Sequence, residues 1–371
     1  MPDAAASARV AVAWDPHHVE HLAPWCELLD MPLLVADRPE LEAAASGYPG
    51  VRAERLRGVV LPDRLDMFPH ALAARRPRAI FYSELFTRVL LRALFGRGRD
   101  APRVVYVPHG YSEKRQAWAS GTAHQDVAVL YGQAAYDQLV GFGVAGELGA
   151  HVVAGNLRRT YHRRHASSWR AVASRLGLDG PRPARTLLYA PTWNDKIGSS
   201  SLDAAFEAFV DGLPAGWRVI VKPHPHLERR PGGLDAIVER CRGRDVVVLR
   251  RQALCYPFLD LADAYVGDMS SLAYDYLAYG RPMFFANPTA GTPADAAGSR
   301  LFACGTIVPP ERYADLYRIV DAAWDTDAER FGAARAALDS YVHAPERDPR
   351  ELAGEMYALL AGPAPAWMTA A

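Results

Sequence analysis

Residues 263–285 read DAYVGDMSSLAYDYLAYGRPMFF, and this stretch decides the fold. The apolar run AYVG enters a polar turn, Asp268-Met269-Ser270-Ser271. A helix-like stretch follows and closes at Gly280, and PMFF opens a second apolar run. Strand, polar turn, helix and strand in that order form one unit of a parallel sheet wrapped by helices. The alternation continues outward in both directions. Strands are expected at 8–14, 32–36, 58–62, 78–82, 103–108, 127–131 and 151–155, then at 186–191, 218–223, 245–249, 264–268 and 282–287. Turn and breaker residues in GLDGPRPAR (177–185) separate the two sets. The expectation is α/β with two Rossmann-like doubly wound domains. They span 1–176 and 186–345, joined by a linker at 177–185, with a C-terminal helix and tail at 346–371 able to cross back to the first domain.

A chain of 371 residues is long enough for two cores of this kind. Its 42 basic and 42 acidic residues balance, so no global field draws it to nucleic acid or to a lipid surface. Cys26, Cys241, Cys255 and Cys304 are scattered without a C-x-x-C pair, which argues for reduced thiols and against a disulfide framework or a structural zinc. The opening MPDAAASARVAVAWD has neither a basic region nor a long apolar one, and no apolar run approaches the ~20 residues of a bilayer span. A cytoplasmic protein, soluble or peripheral on the inner face of the membrane, is expected. Lysine occurs only at Lys114, Lys196 and Lys222, against 39 arginines, and all three lie in or beside the segments below. That placement suggests positions where a compact ammonium is wanted instead of a planar guanidinium.

In open parallel sheets ligands bind at the carboxyl ends of strands, and four such ends here carry polar groups. In VPHGYSEKRQAW (107–118), His109 follows a strand, Gly110 allows a close turn and Lys114 lies on the way out. A histidine there can be a general base or a backbone-bonded strand cap. In VIVKPHPHLE (219–228), prolines fix the directions of His224 and His226 beside Lys222 and Pro223. The readings there are a phosphate contact by His224, a metal pair, or a structural role. Asp268, Ser270 and Ser271 can cap the helix that follows or, with its unpaired amides, cradle a phosphate. In LLYAPTWND (187–195), Thr192 and Trp193 can hydrogen-bond and pack on a ligand or close a core. Arg158, Arg159, Arg163 and Arg164 can neutralise an anion or line a solvated helix start, and Glu84 can orient His109 or cap a helix. No G-x-G-x-x-G or Walker string is present, and the one D-x-D, Asp325-Thr326-Asp327, lies where capping explains it better than metal. A metal-independent transfer without a cofactor is expected.

The ordered set His109-Gly110 with Lys114, Leu188 to Trp193, Lys222 to Pro225, and Asp268-Met269-Ser270-Ser271 with Asp275 and then Arg281-Pro282 resembles the CDP-glycerol glycerophosphotransferases of teichoic-acid synthesis. The resemblance covers roughly residues 105–290. It implies a GT-B fold whose two domains face a central cleft, with the acceptor on the N-terminal domain and the CDP-linked donor on the C-terminal one. It also implies His109 and His224 as catalytic groups, the first as base and the second on the donor phosphate. Thr192, Trp193, Lys222, Pro223, Asp268, Ser270, Ser271 and Asp275 would bind the donor, supported by Glu84, Lys114 and Arg158. Gly267, Met269 and Arg281 depart from the family's usual Thr, Tyr and Lys.

The implied reaction moves glycerol phosphate or ribitol phosphate from a CDP-alditol to a lipid-linked or polymeric saccharide or polyol-phosphate acceptor in teichoic-acid-like or capsular synthesis. The partners would be those two substrates and an anionic membrane surface, with no nucleic acid. Two other readings share the cleft: a GT-B glycosyltransferase using a nucleotide sugar, and a non-catalytic binder of nucleotides or polyanions. Residues 84–99, ELFTRVLLRALFGRGR, pair an apolar surface with Arg88, Arg92, Arg97 and Arg99, as either a packed helix or a membrane-facing one.

Overall fold

The computed structural model describes residues 9–36, 41, 44–45, 47–56, 72, 75–84, 91, 95, 101–113, 122, 125–192, 200–228, 234–250, 254–286 and 299–361. The chain divides into two compact units: Met1–His109, Arg115–His165 and Val342–Ala371 form the first, and Gly110–Lys114 with Ala166–Tyr341 form the second.

The first unit contains β1 (Arg9–Ala13), α1 (Pro16–Leu28), β2 (Leu33–Ala36), β3 (Ala53–Leu56), β4 (Ala79–Tyr82), β5 (Arg103–Tyr106), β6 (Val127–Leu130), α2 (Gln133–Gly141), β7 (Ala150–Val153) and α3 (Leu157–Arg164). The second contains α4 (Ala166–Arg175), β8 (Arg185–Ala190), α5 (Leu202–Asp211), β9 (Trp217–Val221), α6 (Pro225–Glu228), α7 (Asp235–Arg240), β10 (Val246–Val248), α8 (Tyr256–Leu261), β11 (Ala264–Gly267), α9 (Ser271–Tyr276), β12 (Met283–Ala286), β13 (Thr306–Val308) and α10 (Leu316–Ala323). Helix α11 (Asp327–Val342) ends at the return to the first unit, and α12 (Pro349–Ala361) belongs to that unit.

Both sheets are wholly parallel, in the orders β3-β2-β1-β4-β5-β6-β7 and β10-β9-β8-β11-β12-β13. In each, the chain runs outward from its first strand, returns, and continues on the other side. The switch point therefore lies between β1 and β4 in one unit and between β8 and β11 in the other. Ligand crevices of such sheets open there, at the strand carboxyl ends. The strands read as continuous apolar runs because both faces are covered, and β2, β4, β6, β11 and β12 are buried along their whole length. In the second unit Leu187, Tyr189, Phe209, Val221, Phe284 and Val320 share one core, with the Tyr189 and Phe209 rings stacked at 3.9 Å.

Eleven of the expected strands are found within a residue or two of their expected positions, and the expected strand at 58–62 lies outside the described residues. Two strands were not expected. AERL (53–56) is only partly buried at an edge, so its polar residues hide the pattern, and TIV (306–308) is too short to stand out. The division of the chain falls at His165, ahead of the expected linker at 177–185, because α4 packs on α8 of the second unit. At the other end the chain returns at Val342. Ala344 N–H donates to Tyr131 C=O (2.8 Å), and its backbone runs so close that a β-carbon on Gly132 would lie 2.7 Å from Val342 O and one on Gly155 2.8 Å from Ala344 O. Most of residues 84–99 lie outside the described residues, Arg88, Arg92, Arg97 and Arg99 among them. No described helix is long and apolar enough to cross a membrane.

Candidate active site

In the first unit the polar groups gather after β1, β4 and β5. Asp15 leaves β1 and occupies the N-cap of α1, with extended backbone, Pro16 at the first helical position, and its carboxylate accepting from His17 N–H at 3.4 Å. The same oxygen lies 2.6 Å from His17 Nδ1. His18 and His21 follow on the buried side of the helix. The His109 ring stands edge-on to His17 with centroids 5.7 Å apart, and 6.1 and 6.3 Å from those of His18 and His21. This four-histidine cluster is more than the sequence reading found. Its signal was present in DPHHVEH (15–21), where a capping aspartate, a first-turn proline and histidines at i, i+1 and i+4 sit directly after a strand.

His109 Nδ1 lies 2.9 Å from Ser83 C=O. A carbonyl only accepts, so Nδ1 carries the proton and the lone pair of the neutral ring is on Nε2. Burial of the ring among its neighbours lowers the His109 pKa, helped by His17 and opposed by the Ser83 bond and by Glu84. The residue as a whole is nonetheless exposed to solvent. Glu84 does not orient this ring. The carbonyl one residue earlier does, and the Glu84 carboxylate lies 3.8 Å from His18 Nε2 instead. Tyr131 OH donates to Pro108 C=O (2.8 Å), so its oxygen accepts from His21 Nδ1 (3.1 Å); this chain of bonds holds the loop that carries His109. Burial lowers the pKa of His18 and His21 well below the usual value, and His17 adds to the effect on both.

Arg158 is buried and pairs with buried Glu20 at 3.5 Å, while Arg164 and His165 meet Glu27 at 2.9 and 2.8 Å. Arg158 and Arg164 of α3 are therefore used within the unit, and Asn156 caps the helix by accepting from Arg159 N–H.

In the second unit Asp268 follows β11. One of its oxygens accepts from Thr192 N–H (2.8 Å) after β8 and from Ser201 N–H (3.0 Å) ahead of α5. Asp268 thus braces the switch point; the helix that follows has Ser270 at its N-cap without a side-chain cap bond. The Ser270 hydroxyl meets Tyr265 OH at 3.2 Å, and Tyr265 OH also donates to Asp268 C=O. Tyr265 explains Gly267 too. A β-carbon there would fall 2.7 Å from that phenol oxygen and 2.6 Å from Ala190 O, so a threonine cannot be accommodated. Asp275 is buried and accepts from Tyr256 OH at 3.0 Å, a core position in place of the expected donor contact. Arg281 donates to the carbonyls of Asp260 and Ala262 at the end of α8. Asp327 of the D-x-D string is fully buried on Arg335.

After β9, Lys222 is half-buried, and Pro223 is buried and turns the chain into α6. His226 N–H donates to His224 Nδ1 (3.2 Å), and the two rings stack at 5.1 Å. Here Nδ1 accepts, so the proton is on Nε2, the opposite tautomer to His109. Lys114 and Trp193 lie outside the described residues.

The family model described as CDP-Glycerol:Poly(glycerophosphate) glycerophosphotransferase matches residues 159–296. Among solved structures, a variant of the wall teichoic acid polymerase TagF is 12% identical with a TM-score of 0.64, over 95% of this chain and 87% of that one. A TagF variant soaked with CDPG is 12% identical at 0.64, over 97% and 90%. UDP-GlcNAc 2-epimerase from Neisseria meningitidis bound to UDP-GlcNAc is 9% identical at 0.58, over 94% and 99%. At such identities these structures speak to the fold. No curated protein matches the chain. On two parallel-sheet α/β units of the GT-B kind, the resemblance read from the sequence is shown, and across residues 159–296 it is to the CDP-glycerol:poly(glycerophosphate) glycerophosphotransferase family.

Proposed function

We propose that the protein transfers an alditol phosphate, glycerol phosphate or ribitol phosphate, from a CDP-alditol to an acceptor hydroxyl on a lipid-linked or polymeric saccharide or polyol phosphate, releasing CMP. The family match over residues 159–296 supports the donor class. The observation that carries the reading is the pair of opposed histidine tautomers. His109, with its proton held on Nδ1 by Ser83, has a lone pair on Nε2 to accept a proton; His224, with Nδ1 occupied by an N–H, has a proton on Nε2 to donate.

The reaction needs both. The acceptor oxygen attacks the β-phosphorus as His109 Nε2 takes its proton. The bond from that phosphorus to the bridging oxygen breaks, and its electron pair leaves with CMP. His224, Lys222, the Ser270 and Ser271 hydroxyls and the first amides of α9 hold charge on the phosphates, with Thr192 and Trp193 beside the nucleotide. Preorganised donors of this kind dominate phosphoryl transfer. Residues 84–99 would bring the first unit to an anionic membrane carrying a lipid-linked acceptor. The test is a panel of CDP-alditols and nucleotide sugars with each acceptor class, scored by CMP release. Turnover with CDP-glycerol or CDP-ribitol is expected. Turnover confined to a nucleotide sugar, or on no donor, would overturn the reading.

A further inference from the structure

The four-histidine cluster at the β1/β4 switch point leaves few places for a positive charge. His18 is 2% exposed, with neither ring nitrogen hydrogen-bonded, and His21 is 7% exposed with Nδ1 on Tyr131. Both sites oppose protonation. His17 differs from His18 and His21 in two ways: a carboxylate oxygen of Asp15 lies 2.6 Å from its Nδ1, and its side chain is 26% exposed. A charged ring at His17 keeps a counter-ion and water, whereas a charged ring at His18 or His21 loses its water.

The groups facing His109 come from four elements. On α1 they are His17, held by Asp15, with His18 and His21; after β4, Glu84; after β6, Tyr131, bonded to the Pro108 carbonyl beside it; on α3, Arg158, whose charge is shared with Glu20. His17 stands nearest of the rings, and after burial it is the largest cause lowering the His109 pKa. Glu84 acts in the other direction.

We infer that His17, anchored by Asp15, is the positioning residue of His109: its imidazolium keeps the neighbouring ring neutral, with the Nε2 lone pair open to the acceptor hydroxyl. The kinetic consequence rests on the proposed transferase reaction; the charge relation between the two rings does not. The experiment uses the full chain with isotope-labelled histidine. The His109 ring is titrated by NMR in the wild type and in His17→Gln, His17→Lys and Asp15→Asn, with His109→Gln to assign the signal. In the wild type His109 is expected to titrate below the free-imidazole value. In His17→Gln its midpoint should rise by about one pH unit. His17→Lys, which restores a charge, should leave it low, and Asp15→Asn should move it toward the Gln value. The acid limb of kcat/KM for CMP release should follow the NMR midpoint in each variant. A His109 midpoint unchanged in His17→Gln, or the same in His17→Gln and His17→Lys, would overturn the inference. Absence of CMP release from the wild type would sink the transferase reading and leave the NMR comparison to decide the charge relation.

Discussion

Within the second unit Gly110 leaves no room for a side chain against Ser271: a β-carbon would fall 2.4 Å from Ser271 Cβ and 2.8 Å from its hydroxyl oxygen, on a backbone with φ of +117°. Side-chain-bearing residues rarely adopt that conformation, and holding one there costs on the order of 1–3 kcal/mol before the collision is counted. Gly110→Ala should therefore lower the thermal midpoint and, by displacing Ser271, weaken CDP-glycerol binding. Calorimetry and titration with CDP-glycerol would check both. Unaltered donor affinity would separate Ser271 from the donor phosphates.

His109→Ala should abolish transfer yet keep CDP-glycerol affinity close to that of the wild type. Because burial and His17 lower the His109 pKa, the base is already neutral at pH 7, and kcat/KM should be flat there. Activity should fall only as the pH drops below ~6.5, the ordinary histidine value. A limb centred above 7 would point to another base.

His224 is predicted to act through its Nε2–H. Losing a hydrogen bond to a charged phosphate costs about 1.5–3 kcal/mol, so His224→Ala should weaken CDP-glycerol and CMP binding by roughly 10- to 150-fold. Gln reaches further than Asn and places its amide nearer the Nε2 position. His224→Gln should retain more affinity than His224→Asn, and the reverse order would contradict the assigned tautomer.

The histidines of the cluster also set a pH dependence of stability. His18, His21 and His109 have folded-state pKa values below those of the unfolded chain, so between the two the unfolded chain binds more protons. Their contribution is complete above the unfolded value of ~6.5 and is lost as the pH falls below it. Thermal midpoints measured from pH 8 down to pH 5 should be level at first and then decline. His18→Gln should flatten the decline.

Much of the fold was legible because both faces of these strands are covered, so they appear as apolar blocks that need no periodicity to be seen. The exceptions follow the same logic: AERL escapes notice because an edge strand can be polar, and TIV because it is short. In the site, His109 and His224 could be singled out because each follows a strand. Their tautomers could not, since these depend on Ser83, 26 residues away in sequence, and on the backbone of a tight turn. Asp268 looked like a cap because it stands just ahead of a helix; its bonds to Thr192 and Ser201 come from pairing between distant strands. The histidines of α1 carry no motif that links them to the other segments. Only the sheet order, which sets β1 beside β4 and β4 beside β5, brings them to His109.

The return of the chain at Val342 bears on how the protein is made. Residues 342–344 fill the close space over Gly132 and Gly155, Tyr357 OH donates to Leu29 C=O, and Arg347 donates to Val153 C=O. The first unit thus draws part of its packing from a segment that follows every residue of the second unit in the chain. Domains made in sequence tend to fold in sequence. Here the order is inverted: the second unit can condense as soon as Tyr341 is made, while the first, begun earlier, waits for residues 342–357 to cover Gly132, Gly155 and Leu29.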